Sequence, residues 1–150
     1  MRALGECQAG VYAAEVALDS YGMGWRRVPQ AQSYLDRLVG SEWMAERWPE
    51  LAGAVVERRG SGAVWSAAVP EETSWPGGPC RFGRILLAGR DLRQAVLLHE
   101  LAHLLVHPDD THGAPFVRTH LELVRHEMGF LAFVEYREAL LQQPALAAAL

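Results

Sequence analysis

Apolar residues recur at helical spacing in the first fifty positions of the chain. They lie three or four residues apart over residues 6–18 and again over residues 29–40, and glycines end both runs. Ser41 can cap a shorter segment that reaches Trp48 just before a proline. The pattern predicts three helices, of which the third covers residues 41–48.

The spacing changes to that of β-strands between residues 54 and 69. Two runs rich in valine and alanine, residues 54–59 and 63–69, flank the sequence Gly60-Ser61-Gly62, which predicts a β-hairpin. Residues 70–83 are rich in proline and glycine and predict a surface loop. The short apolar run 84–87 predicts one more strand.

The second half of the chain returns to helical patterns. Asp91 and Gln94 resemble a helix cap, and Pro108 requires the helix that starts near Leu92 to end by His107. Two further helices are predicted over residues 115–128 and 131–141, followed by a surface tail. The order of elements predicts an α+β fold. A small antiparallel or mixed sheet should pack on the helix that starts near Leu92, with additional helices around them.

Length and composition narrow the class of protein. The chain has 150 residues, half of them hydrophobic, which fits a single domain over residues 1–150. A net charge of −4 argues against a nucleic-acid partner. Cys7 and Cys80 form no metal-binding pair, and neither a leader segment nor a membrane-spanning apolar stretch is evident. We therefore expect a cytoplasmic protein without a membrane partner.

His99, Glu100 and His103 form an H-E-x-x-H motif inside an otherwise apolar segment. On a helix, residues four apart share one face with Cβ atoms roughly 6 Å apart, so both imidazoles can reach one zinc ion. Glu100 projects beside that ion, where its carboxylate can take a proton from a zinc-bound water. The alternative is a core helix with satisfied histidines, but three ionisable groups in one apolar turn are costly to bury. The motif predicts Zn²⁺ as cofactor, two histidine ligands and Glu100 as catalytic base.

A catalytic zinc usually has three protein ligands, so a further donor must lie beyond the motif. His107 would be roughly 12 Å along the helix from His99, too far to share one ion. Asp109 fits the spacing of the metzincin pattern, but Val106 replaces the glycine that turns the chain in that pattern. Glu122 lies between two arginines on what we interpret as a solvated helix face.

Two candidates for the third ligand are stronger. Glu127 shares a helix face with Phe116 and His120 and could approach the metal as a carboxylate. His112 follows a short Pro-containing loop that lets the chain turn back, and Gly113 beside it removes side-chain bulk. We favour His112 and keep Glu127 as the alternative.

These motifs resemble those of a known group of proteins. The sequence His99-Glu100-Leu101-Ala102-His103 followed by His112-Gly113-Ala114-Pro115-Phe116 resembles the pattern of SprT-like, minigluzincin-type zinc proteases, with the proline shifted by one position. The chain is also similar over most of its length to a family of small predicted metallohydrolases from actinobacteria and their phages. The resemblance implies a zincin-like fold, His99, His103 and His112 as zinc ligands, and Glu100 as general base.

The function predicted from motif and resemblance is that of a zinc-dependent hydrolase, a metalloprotease or peptidase acting on a peptide or protein. Transition-state support could come from His120, Arg118 or Tyr136. A strand just before the active helix, here residues 84–87, could form the cleft edge at which an extended substrate adds. The alternatives are hydrolysis of another amide or ester, and a non-catalytic module that zinc stabilises. Structural zinc normally has four protein ligands, which argues against the last alternative.

Overall fold

Six α-helices and three β-strands make up most of the residues that the structure describes. This structure is a computed structural model, and it describes residues 2–60, 62–73 and 75–150, with side chains from residue 5 onward. The helices are α1 Arg2–Glu15, α2 Val28–Val39, α3 Glu42–Arg47, α4 Gln94–Leu105, α5 Ala114–Glu127 and α6 Phe130–Leu141. The strands are β1 Gly53–Arg58, β2 Ala67–Thr73 and β3 Cys80–Leu87, and 3₁₀ turns lie at Val16–Leu18 and Ala147–Ala149. The predicted α+β class is confirmed.

These elements divide into two compact units. One combines the N-terminal residues up to Gly22 with Pro108–Leu150, and the other is Met23–His107. We call them the terminal unit and the central unit. A single domain over residues 1–150 stays a prediction. In the described part of the chain, no helix combines the length and apolarity needed to cross a membrane.

The sheet lies in the central unit. Within the described residues its strand order is β1-β3-β2, with β3 parallel to β1 and antiparallel to β2. Ile85 is fully buried and pairs with Val56 on one side and Ala68 on the other. The predicted hairpin is therefore wrong, because both of its strands pair with β3 instead of with each other. Ser61, in its predicted turn, lies outside the described residues.

The loop predicted for residues 70–83 is wrong at both ends. Pro70 lies inside β2, which is an edge strand, where a missing backbone donor is tolerated. Gly83 lies inside β3 because Leu104 of α4 packs where its side chain would be, with a Cβ there only 2.7 Å from Cδ2 of Leu104. Pro70 therefore marks the edge of the sheet, and Gly83 marks a close contact between the sheet and α4.

The central position of β3 also overturns the role expected for residues 84–87. Both edges of β3 are occupied by neighbouring strands, so no extended peptide can add to it. Helix α4 packs against β3 and β2, which confirms that the sheet lies on the helix carrying the motif. The edge strand β2 packs against this helix.

Helix α4 begins differently from the predicted cap. Its N-cap is Arg93, without a side-chain cap, and Asp91 instead accepts a hydrogen bond from Ser66 Oγ at 2.8 Å. Gln94 is buried, donates to the Tyr34 hydroxyl at 2.9 Å and accepts from the backbone N–H of Met23 at 3.2 Å. The amide therefore anchors the start of the helix to its own unit and does not cap it.

The terminal unit is helical. Helix α6 packs against both α1 and α5. The core of the terminal unit is formed by apolar residues at helical spacing, including Val11, Ala14, Phe116, Val124 and Leu140. The predicted N-terminal and C-terminal helices are confirmed, and the 3₁₀ turn at Val16–Leu18 completes the first of them.

Candidate metal centre

The H-E-x-x-H motif lies in the second half of α4, a helix buried on several faces. Leu97, Leu98 and Leu101 are fully buried around it. A helix that is apolar all round must be enclosed by other elements, and such burial removes water from its polar side chains. His99 and Glu100 are accordingly only 2% and 5% exposed.

The two motif histidines face each other on one side of α4. His99 Nε2 and His103 Nε2 are 3.2 Å apart, with the ring planes at 68° to one another. Two imidazole nitrogens bound at tetrahedral angles to zinc, each about 2.0–2.1 Å away, would be about 3.4 Å apart. The observed separation fits one shared ion, so the described residues include a pair that could hold a metal ion.

The protonation state of His99 also suits a ligand. Burial lowers the pKa of His99 from 6.5 to about 3. The imidazole is therefore neutral at physiological pH, which is the form that coordinates metals. His103 is half-buried and lies one helical turn further on.

Glu100 is a buried carboxylate next to this histidine pair. A charged group in such surroundings loses hydration, which costs several kcal/mol unless other groups interact with it. Its place directly after His99 in α4 turns it roughly 100° away from that histidine, so it is not on the face shared by the two imidazoles. The role of Glu100 as general base stays a prediction.

His112 lies in the terminal unit, at the turn before α5. It is buried, with its ring centroid 5.5 Å from that of Tyr12 and 4.9 Å from that of Phe116. Its φ is +60°, and it is the one non-glycine residue with positive φ among the described residues. A side chain in this left-handed region costs about 1–3 kcal/mol, a strain typical of functional positions. The role of His112 as third ligand stays a prediction.

Glu127, the alternative ligand, is the last residue of α5. Its side chain is mostly buried and lies 3.0 Å from His126 Nδ1. It is separated from His112 by the whole of α5, about 20 Å at 1.5 Å per residue. The two residues are therefore mutually exclusive donors for one ion.

The three ligand candidates that sequence reasoning rejected are exposed or half-exposed. His107 and Asp109 are exposed and lie beyond the end of α4. Glu122 is half-exposed on α5. The chain leaves α4 at Val106 in an extended conformation, with φ −115° and ψ 165°, and so without the turn that a metzincin glycine makes.

A buried polar cluster in the terminal unit was only partly foreseen. His120 Nδ1 lies 2.9 Å from the Tyr136 hydroxyl and 3.5 Å from Glu15 Oε1. His120 and Tyr136 are fully buried, and burial raises the pKa of Tyr136 well above its usual value. Glu15 was missed. Its position four residues after the buried Val11 places a carboxylate beside the apolar face of α1, which was the available signal.

Arg118, the other residue considered for transition-state support, is exposed on α5. Its Nε donates a hydrogen bond to the backbone carbonyl of Ala149 at 3.1 Å. Its catalytic role stays a prediction, as do those of His120 and Tyr136.

Comparisons of the chain with protein-family models, with curated proteins and with solved structures find no match.

Proposed function

We propose that this protein is a zinc-dependent hydrolase of the zincin type, which cleaves peptide bonds. His99 and His103 bind the metal, His112 supplies the third ligand and Glu100 is the general base. The observation that carries the proposal is the 3.2 Å separation of the two Nε2 atoms on a buried helix, with a buried carboxylate beside them. The resemblance of His112-Gly113 and Phe116 to the SprT-like pattern supports the choice of His112.

Held by His99, His103 and His112, a zinc ion would polarise the carbonyl of the substrate and lower the pKa of a water molecule to about 7. Glu100 accepts a proton from the attacking water and delivers it to the leaving nitrogen, which balances the proton transfers of hydrolysis. The buried surroundings of α4 exclude bulk water and strengthen these electrostatic interactions. A carboxylate that is 5% exposed beside the histidine pair supports a catalytic role, since its burial carries a desolvation cost.

The decisive variant is Glu100→Gln, which keeps the shape of the side chain and removes its basicity. We expect it to retain about one zinc per chain and the wild-type fold, while cleavage falls by roughly 10²–10⁴-fold because the attacking water lacks its base. Elemental analysis gives the metal content, and mass spectrometry of a peptide library gives the cleavage rate.

Glu122→Gln is the matched control, because Glu122 is a half-exposed glutamate on another helix. It should retain both metal and activity. Undiminished cleavage by Glu100→Gln would remove Glu100 from its proposed role. Wild-type protein that binds no zinc after gentle purification and supplementation would overturn the metal site itself.

A further inference from the structure

A cavity lies at the C-terminal end of α4, entirely within the central unit. Its volume is about 250 Å³. Two indole rings and apolar side chains form its walls, namely Trp48, Trp75, Leu51, Cys80 and Leu104. We call this cavity the Trp pocket.

The size of the Trp pocket restricts its occupant to a single side chain. A cavity of about 150 Å³ already takes a benzene ring, whereas pockets for whole drug-sized molecules begin near 300 Å³. At about 250 Å³, the Trp pocket accommodates one large side chain with room to spare. The exposed residues Glu50 and His107 also line it, so part of its boundary is polar and in contact with solvent.

One wall of the Trp pocket, the Trp48 ring, is packed by neighbouring side chains. The Trp48 ring packs edge-on against Trp43 at 5.3 Å, and the guanidinium of Arg47 lies 5.5 Å from the centre of the same ring. Trp75 lies against the backbone of Gly78, where a Cβ would be 2.6 Å from the indole. Because the Trp48 ring is already packed, binding against it costs less ordering entropy.

Trp75 also points to a ligand. It is 60% exposed although it is one of the largest apolar side chains. Tryptophan is enriched among the residues that dominate binding energy, and Trp75 lies at a cavity that a side chain can fill. Stacked or edge-to-face contacts between aromatic rings add to the gain from apolar burial. An aromatic side chain therefore fits these walls better than a small or charged one.

The location of the Trp pocket connects it to the histidine pair. Leu104 directly follows His103, and Leu104 and Leu105 both line the pocket. Two residues of helix span about 3 Å, and one extended residue of a peptide spans about 3.5 Å. Along the axis of α4 the pocket therefore lies next to His103, on the side that Leu104 turns toward, roughly 100° around the helix from that histidine. An extended polypeptide bound beside the histidine pair can cover that separation with a few residues.

We propose that the Trp pocket binds one aromatic side chain of the polypeptide substrate, a few residues from the bond that is cleaved. The proposal rests on the proposed peptidase function and names its substrate preference. The pocket is a binding site in its own right, so its ligand can be detected without metal or turnover.

The test uses N-acetyl-phenylalaninamide as probe and N-acetyl-alaninamide as its apolar control, added to metal-free protein. We expect the indole N–H signals of Trp48 and Trp75 to shift in NMR spectra with the phenylalanine compound only. Trp75→Ala should weaken binding by at least about tenfold, as truncation of an aromatic contact does. Trp65→Ala is the matched control, because Trp65 is 64% exposed and does not line the pocket.

Cleavage of a peptide library supplies the second measurement. Wild type and Trp65→Ala should cut near phenylalanine, tyrosine or tryptophan at one fixed position, and Trp75→Ala should lose that preference. Cleavage without aromatic preference, or unchanged indole signals, would overturn the role of the Trp pocket and leave the peptidase proposal intact. Indole shifts in a protein that cleaves no peptide would leave the pocket standing and refute the peptidase proposal.

Discussion

The left-handed backbone at His112 allows a strong test of why a histidine occupies this position. His112 has φ +60°, a conformation that glycine adopts without strain. Replacement by alanine and by glycine removes the same imidazole and the same ring contacts with Tyr12 and Phe116. The two variants therefore differ in one methyl group and in the backbone preference of the new residue.

We expect His112→Gly to be more stable than His112→Ala by about 1 kcal/mol, since alanine in the left-handed region retains the strain and glycine does not. This order is the reverse of the usual one, in which glycine costs unfolding free energy by enlarging the entropy of the unfolded chain. In a chain of this length, about 1 kcal/mol corresponds to a difference of roughly 2–4 °C in melting temperature. Urea unfolding with a chelator present measures the metal-free difference directly.

Thr111 provides the matched control, because it directly precedes His112 and has no positive φ. Thr111→Ala should be at least as stable as Thr111→Gly. If the alanine variant at residue 112 were also the more stable one, the backbone there would not be strained, and the argument from strain to function would fail.

The same variants decide the third ligand. His112→Gly and His112→Ala should both lose zinc affinity by far more than the roughly 10–100-fold typical of a residue that only orients a ligand. Glu127→Ala should leave the affinity nearly unchanged. A competitive chelator titration gives the three affinities. A larger loss in Glu127→Ala would transfer the ligand role to Glu127, and the resemblance to the H-G-x-x-F proteases would lose its support.

Two further predictions concern stability. Burial lowers the folded pKa of His99 to about 3, so the unfolded state binds more protons than the folded state between about pH 6.5 and 3. The metal-free protein should therefore lose stability as the pH falls through that window, by about 2 kcal/mol at pH 5. Urea titrations of wild type and His99→Gln at several pH values measure this, and equal slopes would contradict it. Tyr136→Phe should lower the free energy of unfolding by about 1–2 kcal/mol, because the buried His120 loses a hydrogen-bond partner at 2.9 Å. Tyr21→Phe removes an exposed hydrogen bond to Glu135 and should lower the free energy of unfolding by less in the same measurement.

The helices could be predicted from the sequence because their apolar spacing and end signals are local. The motif helix is the clearest case, since the four-residue spacing of His99 and His103 dictates a shared face wherever the helix packs. Its cap was misread because Gln94 is held by Tyr34, sixty positions away in the sequence. No local pattern carries that contact.

The sheet could not be predicted to the same degree, because strand pairing is not local. Residues 54–59 and 63–69 look like a hairpin from their spacing, but β3 supplies a buried apolar strand with which each pairs better. Gly83 looked like part of a loop because glycine usually interrupts strands. Glycine is required at this position of β3 because Leu104, a residue of the motif helix, occupies the space that a side chain would need.

The third ligand is the part of the site where sequence reasoning is weakest, and the backbone shows why. Two ligands on one helix are constrained by its geometry, whereas a donor beyond the helix depends on how the chain turns. A metzincin-like arrangement needs a turn at residue 106, but Val106 leaves α4 in an extended conformation. The left-handed turn comes six residues later, at His112, where a histidine tolerates a strain that glycine would avoid. A buried imidazole held in a left-handed backbone conformation is the observation that makes His112, rather than a residue nearer α4, the proposed third ligand.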